Sequence, residues 1–453
     1  MNNLEEKAKT ILVLGGGVSG VAAAAFLRKK GASVTLADEK TKEQVSESAR
    51  NLETQGVTLH LGGMPEVVDG YDYAVISPGI PLDVPIAQRL QAAGIPIIGE
   101  LELAYRFSHN PYLAITGTNG KTTTTSLVGY ILELAKIPCL VGGNIGTPLV
   151  EQVEALPEEG YIVAEVSSFQ LETVRDFRPR AAAYLNLTPD HLNRHHTMEN
   201  YGRIKARIFA NQQPGDTAVL NADDAAVRRY AEGLQSEILW FSRRQPVAEG
   251  FFVRDGGIFL TDGKEEQKLI DIDEIFIKGG HNVENAMAAA ALTYAVGVEP
   301  EVIRRALIQF RGVAHRQEYV REKDGVLYIN DSKGTNPDST LQALLAYDRP
   351  MVLILGGYDK KGDFDSLMPL IKEKVRHVVL VGETAPQIQQ MLERNQYTAY
   401  TMAGRDFAKA VTLASEFAES GDVVMLSPAC ASWDMFRRFE DRGNLFKELV
   451  RKL

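Results

Sequence analysis

The chain has 453 residues, 45% of them hydrophobic and 24% charged, which is enough to bury several cores and to fill roughly two to four domains of a soluble globular protein. Its formal net charge of −10 argues against nucleic acid as a partner, because a phosphate backbone selects a basic surface. Cys139 and Cys430 are too few for a disulfide framework and read as core packing, the opening residues lack a signal-peptide profile, and no apolar run reaches membrane-spanning length. The expectation is a cytosolic protein with no membrane association.

The first predicted element is a strand over 10–14, followed by Gly15-Gly-Gly17-Val-Ser-Gly20 and an alanine-rich helix to residue 30; a second strand over 32–37 ends at Asp38. Gly15, Gly17 and Gly20 with the later acid match the dinucleotide-binding layout. Taken alone they suggest a nicotinamide or flavin enzyme, although the same turn accepts any diphosphate. A strand over 73–76 runs into Ser77-Pro-Gly-Ile80, which reads as a ligand-side loop or as a plain turn. The pattern restarts at Gly99-Glu-Leu101, which sets a boundary near residue 100.

The middle segment opens with an apolar strand over 111–115, then Gly117-Thr-Asn-Gly120-Lys121-Thr122-Thr123, then a helix over 122–136 with apolar residues at helical spacing. Glycines at a strand-to-helix turn let backbone N–H groups surround an anion, the helix N-terminus adds partial positive charge, Lys121 reaches the outer phosphates and Thr122 offers a hydroxyl to Mg²⁺. Ile115 stands where the general pattern has its first glycine. Strands over 161–165 and 181–187 deliver Glu165 and the stretch Thr188-Pro-Asp190-His191 just past their ends. An acid there can hold Mg²⁺ near phosphates. His191 reads as a metal ligand, an acid/base group or a satisfied loop histidine, and His195 and His196 as solvated loop residues. Lys205, on a helical stretch, looks locally like a solvated charge. The region 235–278 reads as a small antiparallel excursion, and an alanine-rich helix over 286–295 follows Gly279-Gly280-His281-Asn282.

A second boundary falls near residue 312. Beyond it, strands over 327–330, 351–355, 378–381 and 423–426 each deliver polar residues at one end: Asp331, Lys333, Thr335 and Asn336; Lys360; Glu383; and Ser427 to Ser432. That is the pattern of a parallel sheet with one working edge. Two phosphate cradles of different kinds point to a ligase or kinase rather than a dehydrogenase.

Gly117-Thr-Asn-Gly-Lys-Thr122, Gly142-Gly-Asn144-Ile-Gly, Glu165-Val-Ser-Ser-Phe-Gln-Leu-Glu172, Asp190-His191, His281-Asn-Val-Glu-Asn285, Asp331-Ser-Lys333-Gly-Thr-Asn336 and Ser427-Pro-Ala-Cys-Ala-Ser432 occur in this order. With them the chain resembles the Mur ligases of peptidoglycan synthesis over nearly its whole length. The resemblance implies three α/β domains: a Rossmann-like domain over 1–99 binding the UDP part of a substrate, a central P-loop ATPase-like parallel-sheet domain over 100–312, and a C-terminal Rossmann-like domain over 313–453 contributing to ATP and amino-acid binding.

It also implies ATP-dependent amide synthesis through an acyl phosphate, with two Mg²⁺ ions, in a cytoplasmic protein expected to be a monomer. Ser77-Pro-Gly-Ile80 and Ser432-Trp-Asp-Met-Phe-Arg-Arg-Phe439 resemble the family member that adds D-glutamate to UDP-N-acetylmuramoyl-L-alanine. By resemblance, Gly117, Thr118, Asn119, Gly120, Lys121, Thr122 and Thr123 cradle the ATP phosphates, and Asn285, Arg316 and Asp331 meet its adenosine. Thr122, Glu165, His191 and a carbamylated Lys205 serve the metal, and Lys121, His191, Lys205 and Lys333 surround the reacting groups. Val18, Ser19, Asp38 and Ser77 take the uridine nucleotide and Asn144 the muramoyl group. Thr335, Lys360, Ser432 and the Phe439 backbone take D-glutamate. Two departures stand out: Glu39-Lys40 replaces the usual Thr-Arg after Asp38, and Lys361 could exchange roles with Lys360. The alternatives are a sibling ligase for another amino acid, an NAD-dependent oxidoreductase that would leave Lys121 and Thr122 unexplained, and a nucleotide-binding switch.

Overall fold

A computed structural model describes residues 6, 8–358 and 363–453. Three sheets organise the chain. The first contains β1 (Thr10–Leu14), β2 (Ser33–Asp38), β3 (Thr58–Leu61), β4 (Tyr73–Ile76) and β5 (Ile97–Gly99), all parallel, in the order β3-β2-β1-β4-β5. Its central strands β1 and β4 are buried on both faces, as continuous apolar runs such as Ile11-Leu12-Val13-Leu14 require, while the edge strand β3 is exposed or half-buried.

The second sheet holds β6 (Tyr112–Thr116), β7 (Cys139–Gly143), β8 (Tyr161–Glu165), β9 (Ala181–Tyr184), β10 (Thr217–Asn221), β11 (Glu237–Ser242), β12 (Gly250–Arg254), β13 (Gly257–Thr261) and β14 (Glu266–Asp271). Their order is β14-β13-β12-β11-β10-β9-β6-β8-β7. The expected antiparallel excursion is thus not separate: β11 and β12 continue the sheet in parallel, and only β12-β13-β14 form an antiparallel meander on its edge. Order reverses at β6, which lies between β9 and β8, and the carboxyl end of such a strand is where open α/β sheets place ligands.

The third sheet holds β15 (Glu318–Lys323), β16 (Val326–Asn330), β17 (Met351–Leu355), β18 (Val375–Val381), β19 (Tyr400–Gly404) and β20 (Val423–Leu426) in the order β15-β16-β20-β17-β18-β19. The four strands expected from the sequence run parallel, β19 joins them as a fifth parallel strand, and β15 adds an antiparallel edge. The architecture is three-domain α/β.

The chain forms two compact units: Met1–Ile272 with Glu284–Leu307, and Asp273–Val283 with Ile308–Leu453. Within the first unit one continuous apolar core runs from Ile11, Val13 and Phe26 to Leu101, Tyr112, Leu149 and Phe177, and a second, with Leu12, Leu14, Ile76 and Leu90, lies on the other face of the first sheet. The helix Glu100–Phe107 ties it together: Glu102 is fully buried and accepts from the N–H groups of Arg175, Asp176 and Phe177, while Glu100 accepts from the N–H of Val150 at 2.8 Å. A buried carboxylate tolerates that environment only with its oxygens so occupied. Among the described residues no helix is long and apolar enough to cross a membrane.

Candidate active site

β6 ends at Thr116 and the helix Lys121–Leu134 begins after only four intervening residues, so residues 117–120 must reverse direction tightly. Gly117 has φ +153° and Gly120 φ +84°, and a Cβ on Gly120 would come within 2.2 Å of Asn285 Oδ1. Only glycine fits there. The turn is fastened by Asn186, just past β9: its Oδ1 accepts from the N–H groups of Thr118 (3.1 Å) and Asn119 (2.8 Å), and its Nδ2 donates to the Asn119 carbonyl at 3.1 Å. Lys121 Nζ donates to the carbonyls of Gly117 at 2.9 Å and Thr118 at 2.7 Å. Thr122 and Thr123 are buried at the first turn of the helix, and Asn285, also buried, accepts from Thr124 Oγ1 at 3.3 Å.

Around this cradle the sheet edge adds one acid and one further lysine. Glu165, last residue of β8, is 2% exposed; its Oε1 accepts from Asn144 Nδ2 at 2.9 Å, whereas Oε2 is buried without a hydrogen bond. An orphaned carboxylate oxygen beside an anion cradle is a fit for a divalent cation. Lys205 is on the helix Met198–Ala206, as its sequence suggests, but is 1% exposed and donates from Nζ to the Gly117 carbonyl at 2.7 Å. The local reading of a solvated charge is corrected by tertiary packing. Burial holds the Lys205 amine well below its ordinary range and Lys121 pushes the same way, against the pull of Asp190 and Glu165.

His191 has φ +51°, is half exposed and places Nε2 3.5 Å from Asp190 Oδ2. His195, expected to be solvated, is instead 1% exposed: its Nε2 is 2.9 Å from Ser168 Oγ and its ring stacks on Tyr201 at 5.1 Å. Burial pushes its pKa down to about 4, so the ring is neutral. His196 is exposed as expected.

At the first sheet, the N–H of Gly16 donates to Asp38 Oδ2 at 2.6 Å and Ser77 Oγ donates to the Gly15 carbonyl at 3.2 Å, so two expected ligand residues also brace the glycine turn. A Cβ on Gly20 would fall 1.8 Å from the Gly15 carbonyl oxygen, which fixes glycine at that helix-to-turn contact. Val18 is 74% exposed at the start of the helix Val18–Lys29, beside Ser19.

In the second unit, Asp331 follows β16 and is buried. Its Oδ2 accepts from Ser427 Oγ at 2.6 Å and its Oδ1 from the N–H of Gln317 at 3.2 Å; burial raises it to about 6 against the opposing pull of these bonds and Arg316. Arg316 lines a cavity of about 450 Å³ with Phe276, Ile277, Ile308, Arg311 and Tyr347, and its Nε is buried without a hydrogen bond. Lys333 holds its Nζ 5.4 Å from the Phe439 ring, and the Phe439 carbonyl accepts from Ser332 Oγ at 2.8 Å. Ser432 is 2% exposed with its Oγ unpaired. Thr335 is half-buried, its N–H donating to the Lys333 carbonyl at 2.9 Å. Lys360 and Lys361 lie outside the described residues.

Sequence reasoning missed Asn186 and Arg442. Asn186 could have been found as a polar residue past an apolar strand. Arg442, inside the helix Phe439–Lys452, carries no local signal; yet it is buried and donates to Ser332 Oγ and to the carbonyls of Ser332, Cys430 and Ala431, joining the loops after β16 and β20.

Three families match along the chain: the MurD-like N-terminal domain of Mur ligases over residues 9–99, the Mur ligase middle domain over 115–293, and the Mur ligase glutamate ligase domain over 315–430. The chain is 49% identical over 446 residues to the UDP-N-acetylmuramoylalanine--D-glutamate ligase of Pelotomaculum thermopropionicum, covering 98% of each chain. It is 45% identical over 452 residues to the enzyme of that name from Clostridioides difficile, covering 99% of this chain and 100% of the other. Among solved structures, MurF ligase from Thermotoga maritima in complex with ADP shares the fold at a TM-score of 0.61 and 17% identity over the full length of both chains. The UDP-N-acetylmuramate-alanine ligase MurC of the same organism does so at 0.61 and 19%, covering 98% of this chain and 99% of that one.

Proposed function

The chain belongs to the Mur ligase family, and from that premise we propose that it joins D-glutamate to UDP-N-acetylmuramoyl-L-alanine at the expense of ATP. The terminal carboxylate of the precursor attacks the γ-phosphorus of ATP and releases ADP. The resulting acyl phosphate is attacked by the D-glutamate amine, a tetrahedral intermediate collapses with loss of phosphate and a proton, and the new amide extends the precursor.

The residues on the page divide this work. Backbone N–H groups of residues 117–123 and the Lys121 ammonium neutralise the ATP phosphates, which is most of what phosphoryl transfer asks of a protein. Thr122, Glu165 and His191 fit Mg²⁺, through the orphaned Glu165 oxygen above all; when bound, the ion supplies further charge neutralisation at the phosphates. Lys205 is read as carbamylated: burial disfavours its ammonium form, and in its neutral form the amine adds CO₂ and loses a proton to become a carbamate able to support the metal. Lys333 belongs near the reacting groups. The cavity beside Arg316, with Asp331 close by, supports an adenosine site, Asn285 being the cradle-side contact. Val18, Ser19, Asp38 and Ser77 take the uridine nucleotide, and Asn144 the muramoyl group. Ser432 with its unpaired hydroxyl, Thr335, Lys360 and the Phe439 backbone take D-glutamate. A chain that acts on ATP and small nucleotide precursors is read as cytoplasmic.

One observation carries the reading: a phosphate cradle flanked by an orphaned buried carboxylate and a buried lysine whose charge burial disfavours, in a chain that relatives named for D-glutamate addition match over 98% of its length. Phosphate release from ATP and Mg²⁺ with UDP-N-acetylmuramoyl-L-alanine tests it, comparing D-glutamate, L-glutamate, L-alanine and meso-diaminopimelate. Release with D-glutamate alone is expected. Release with another amino acid instead would move the chain to a sibling activity, and release with none would refute ligation.

A further inference from the structure

The stretch from Glu165 to Glu172 gives its first acid a role at the cradle, and nothing assigned so far uses its last. Glu172 follows the short helix Ser168–Leu171, and its side chain is 11% exposed. Its Oε1 accepts from Arg194 Nε at 3.1 Å and its Oε2 from Arg194 Nη2 at 2.5 Å, a two-pronged guanidinium–carboxylate pair. Arg194 is 12% exposed and spends its remaining edge on two carbonyls: Nη1 donates to Pro78 at 2.9 Å and Nη2 to Ile80 at 3.2 Å. The face of its guanidinium lies 4.4 Å from the Phe169 ring centroid.

Pro78 and Ile80 belong to the loop after β4, whose Ser77 already bonds the glycine turn of the first sheet; a Cβ on Gly15 would lie 2.9 Å from Ile80 Cδ1. Arg194 is carried on the loop after β9, three residues past His191, and Phe169 beneath it packs against the His191 ring at 4.9 Å and the His195 ring at 5.5 Å. Both loops leave the carboxyl ends of parallel strands, where α/β sheets hold ligands. One nearly buried ion pair therefore fastens the ligand edge of the first sheet to the ligand edge of the second, inside one compact unit. An apolar contact would pack these loops with less desolvation cost, so a fork locked at both ends supplies geometry rather than stability.

We propose that Arg194 and Glu172 are positioning residues: they hold the Ser77 to Ile80 loop so that a nucleoside-diphosphate precursor bound at the first sheet presents its carboxylate to the phosphate cradle. The inference rests on the function proposed above for the glycine turn. Arg194→Met keeps a stem over Phe169 and removes the fork; Glu172→Gln keeps one acceptor and removes the charge. In steady-state assays of the full chain, R194M raises KM for UDP-N-acetylmuramoyl-L-alanine at least about tenfold and lowers kcat, while KM for ATP stays within about twofold. E172Q shifts the same constants in the same direction by less, and Arg194→Lys restores little because an ammonium cannot reproduce the fork.

A fall in melting temperature with both KM values unchanged would reduce the pair to scaffolding and overturn the proposal, as would an equal rise in both KM values. Calorimetric titration with UDP separates this from the underlying reading. Should the wild type bind UDP but not turn over the precursor, the proposed activity fails; the clamp is then judged on UDP affinity, which R194M weakens about tenfold if the proposal holds and leaves unchanged if it does not. Failure of the wild type to bind UDP would overturn both.

Discussion

Lys205 Nζ and Lys121 Nζ share one acceptor, the carbonyl oxygen of Gly117, at 2.7 and 2.9 Å. Two ammonium groups on one carbonyl repel each other, and the buried one loses its charge more readily because it has no water to solvate it. Lys121 keeps the half-buried position at the cradle, and for Lys205 burial is the largest influence, with Lys121 adding to it and Asp190 and Glu165 opposing.

A neutral buried amine is the form that adds CO₂. Replacing it in Lys205→Met, which fills similar volume without an amine, lowers kcat about a hundredfold or more if the carbamate supports transition-state charge. Carbon-13 NMR of the protein in labelled bicarbonate shows a carbamate resonance that K205M lacks. A wild-type spectrum without it, together with K205M activity near wild type, would remove the modified lysine from the mechanism.

Two buried groups tilt acid stability in opposite directions. His195 titrates at about 4 instead of 6.5, chiefly through burial. The unfolded chain then binds more protons between those values, so stability is complete above pH 6.5 and is lost as pH falls toward 4. Glu100 is raised by burial from 4.5 to about 7. The folded chain binds more protons there, so its contribution is complete below 4.5 and is lost as pH rises through 7. Melting temperatures between pH 4.5 and 7.5 therefore change slope in opposite senses in the two variants. His195→Gln deletes a term that rises with pH and Glu100→Gln one that falls. Profiles parallel to wild type in both would show that neither residue titrates as described.

What the sequence disclosed follows the range of the forces involved. The turn at Lys121 and the glycine run from Gly15 to Gly20 depend on a strand, a tight reversal and a helix within thirty residues or so, and both were legible with their elements. Lys205, on a helical stretch, and His195, read as a loop residue, were misread because their surroundings look polar locally; only packing of residues 117, 168 and 201 against them takes them out of water. Arg442 is further from legibility, since its partners lie 11 to 110 positions away and belong to loops whose meeting depends on sheet order. The β11 to β14 extension shows the same limit: alternating short strands were visible, but their continuity with the parallel sheet was not.

Arg442 is the clearest stability prediction. Burial lowers it to about 10, and its guanidinium satisfies three carbonyls and one hydroxyl that have no water to turn to. Arg442→Met takes the donor from the Ser332 and Cys430 carbonyls, while Ala431 keeps the N–H of Tyr358, and destabilises the protein by about 2 kcal/mol or more, measured as a lower urea midpoint. Arg442→Lys recovers only part, because one ammonium cannot reach both loops. A midpoint unchanged in R442M would mean that the loops find other donors.

Glu165 has the reverse character. Its Oε2 is buried without a hydrogen bond, an arrangement that favours cation binding over folding. Glu165→Gln keeps an acceptor for Asn144 and removes the charge, so the melting temperature holds or rises while the Mg²⁺ concentration for half-maximal rate increases about tenfold and kcat falls about a hundredfold. Unchanged Mg²⁺ dependence would take Glu165 out of the metal site.

Ser432 separates amino-acid recognition from structure. Its hydroxyl is buried and unpaired, so in the free protein Ser432→Ala costs nothing in hydrogen bonds and leaves the melting temperature level or slightly higher. A hydroxyl that donates to a carboxylate is worth about 1.5–3 kcal/mol, so S432A raises KM for D-glutamate about tenfold or more while KM for ATP is unchanged. The opposite pattern, a lower melting temperature with an unaltered D-glutamate KM, would make Ser432 a packing residue and shift recognition of the amino acid to Thr335 and the Phe439 backbone. Because stability and KM respond in opposite ways under the two accounts, one variant measured twice decides between them.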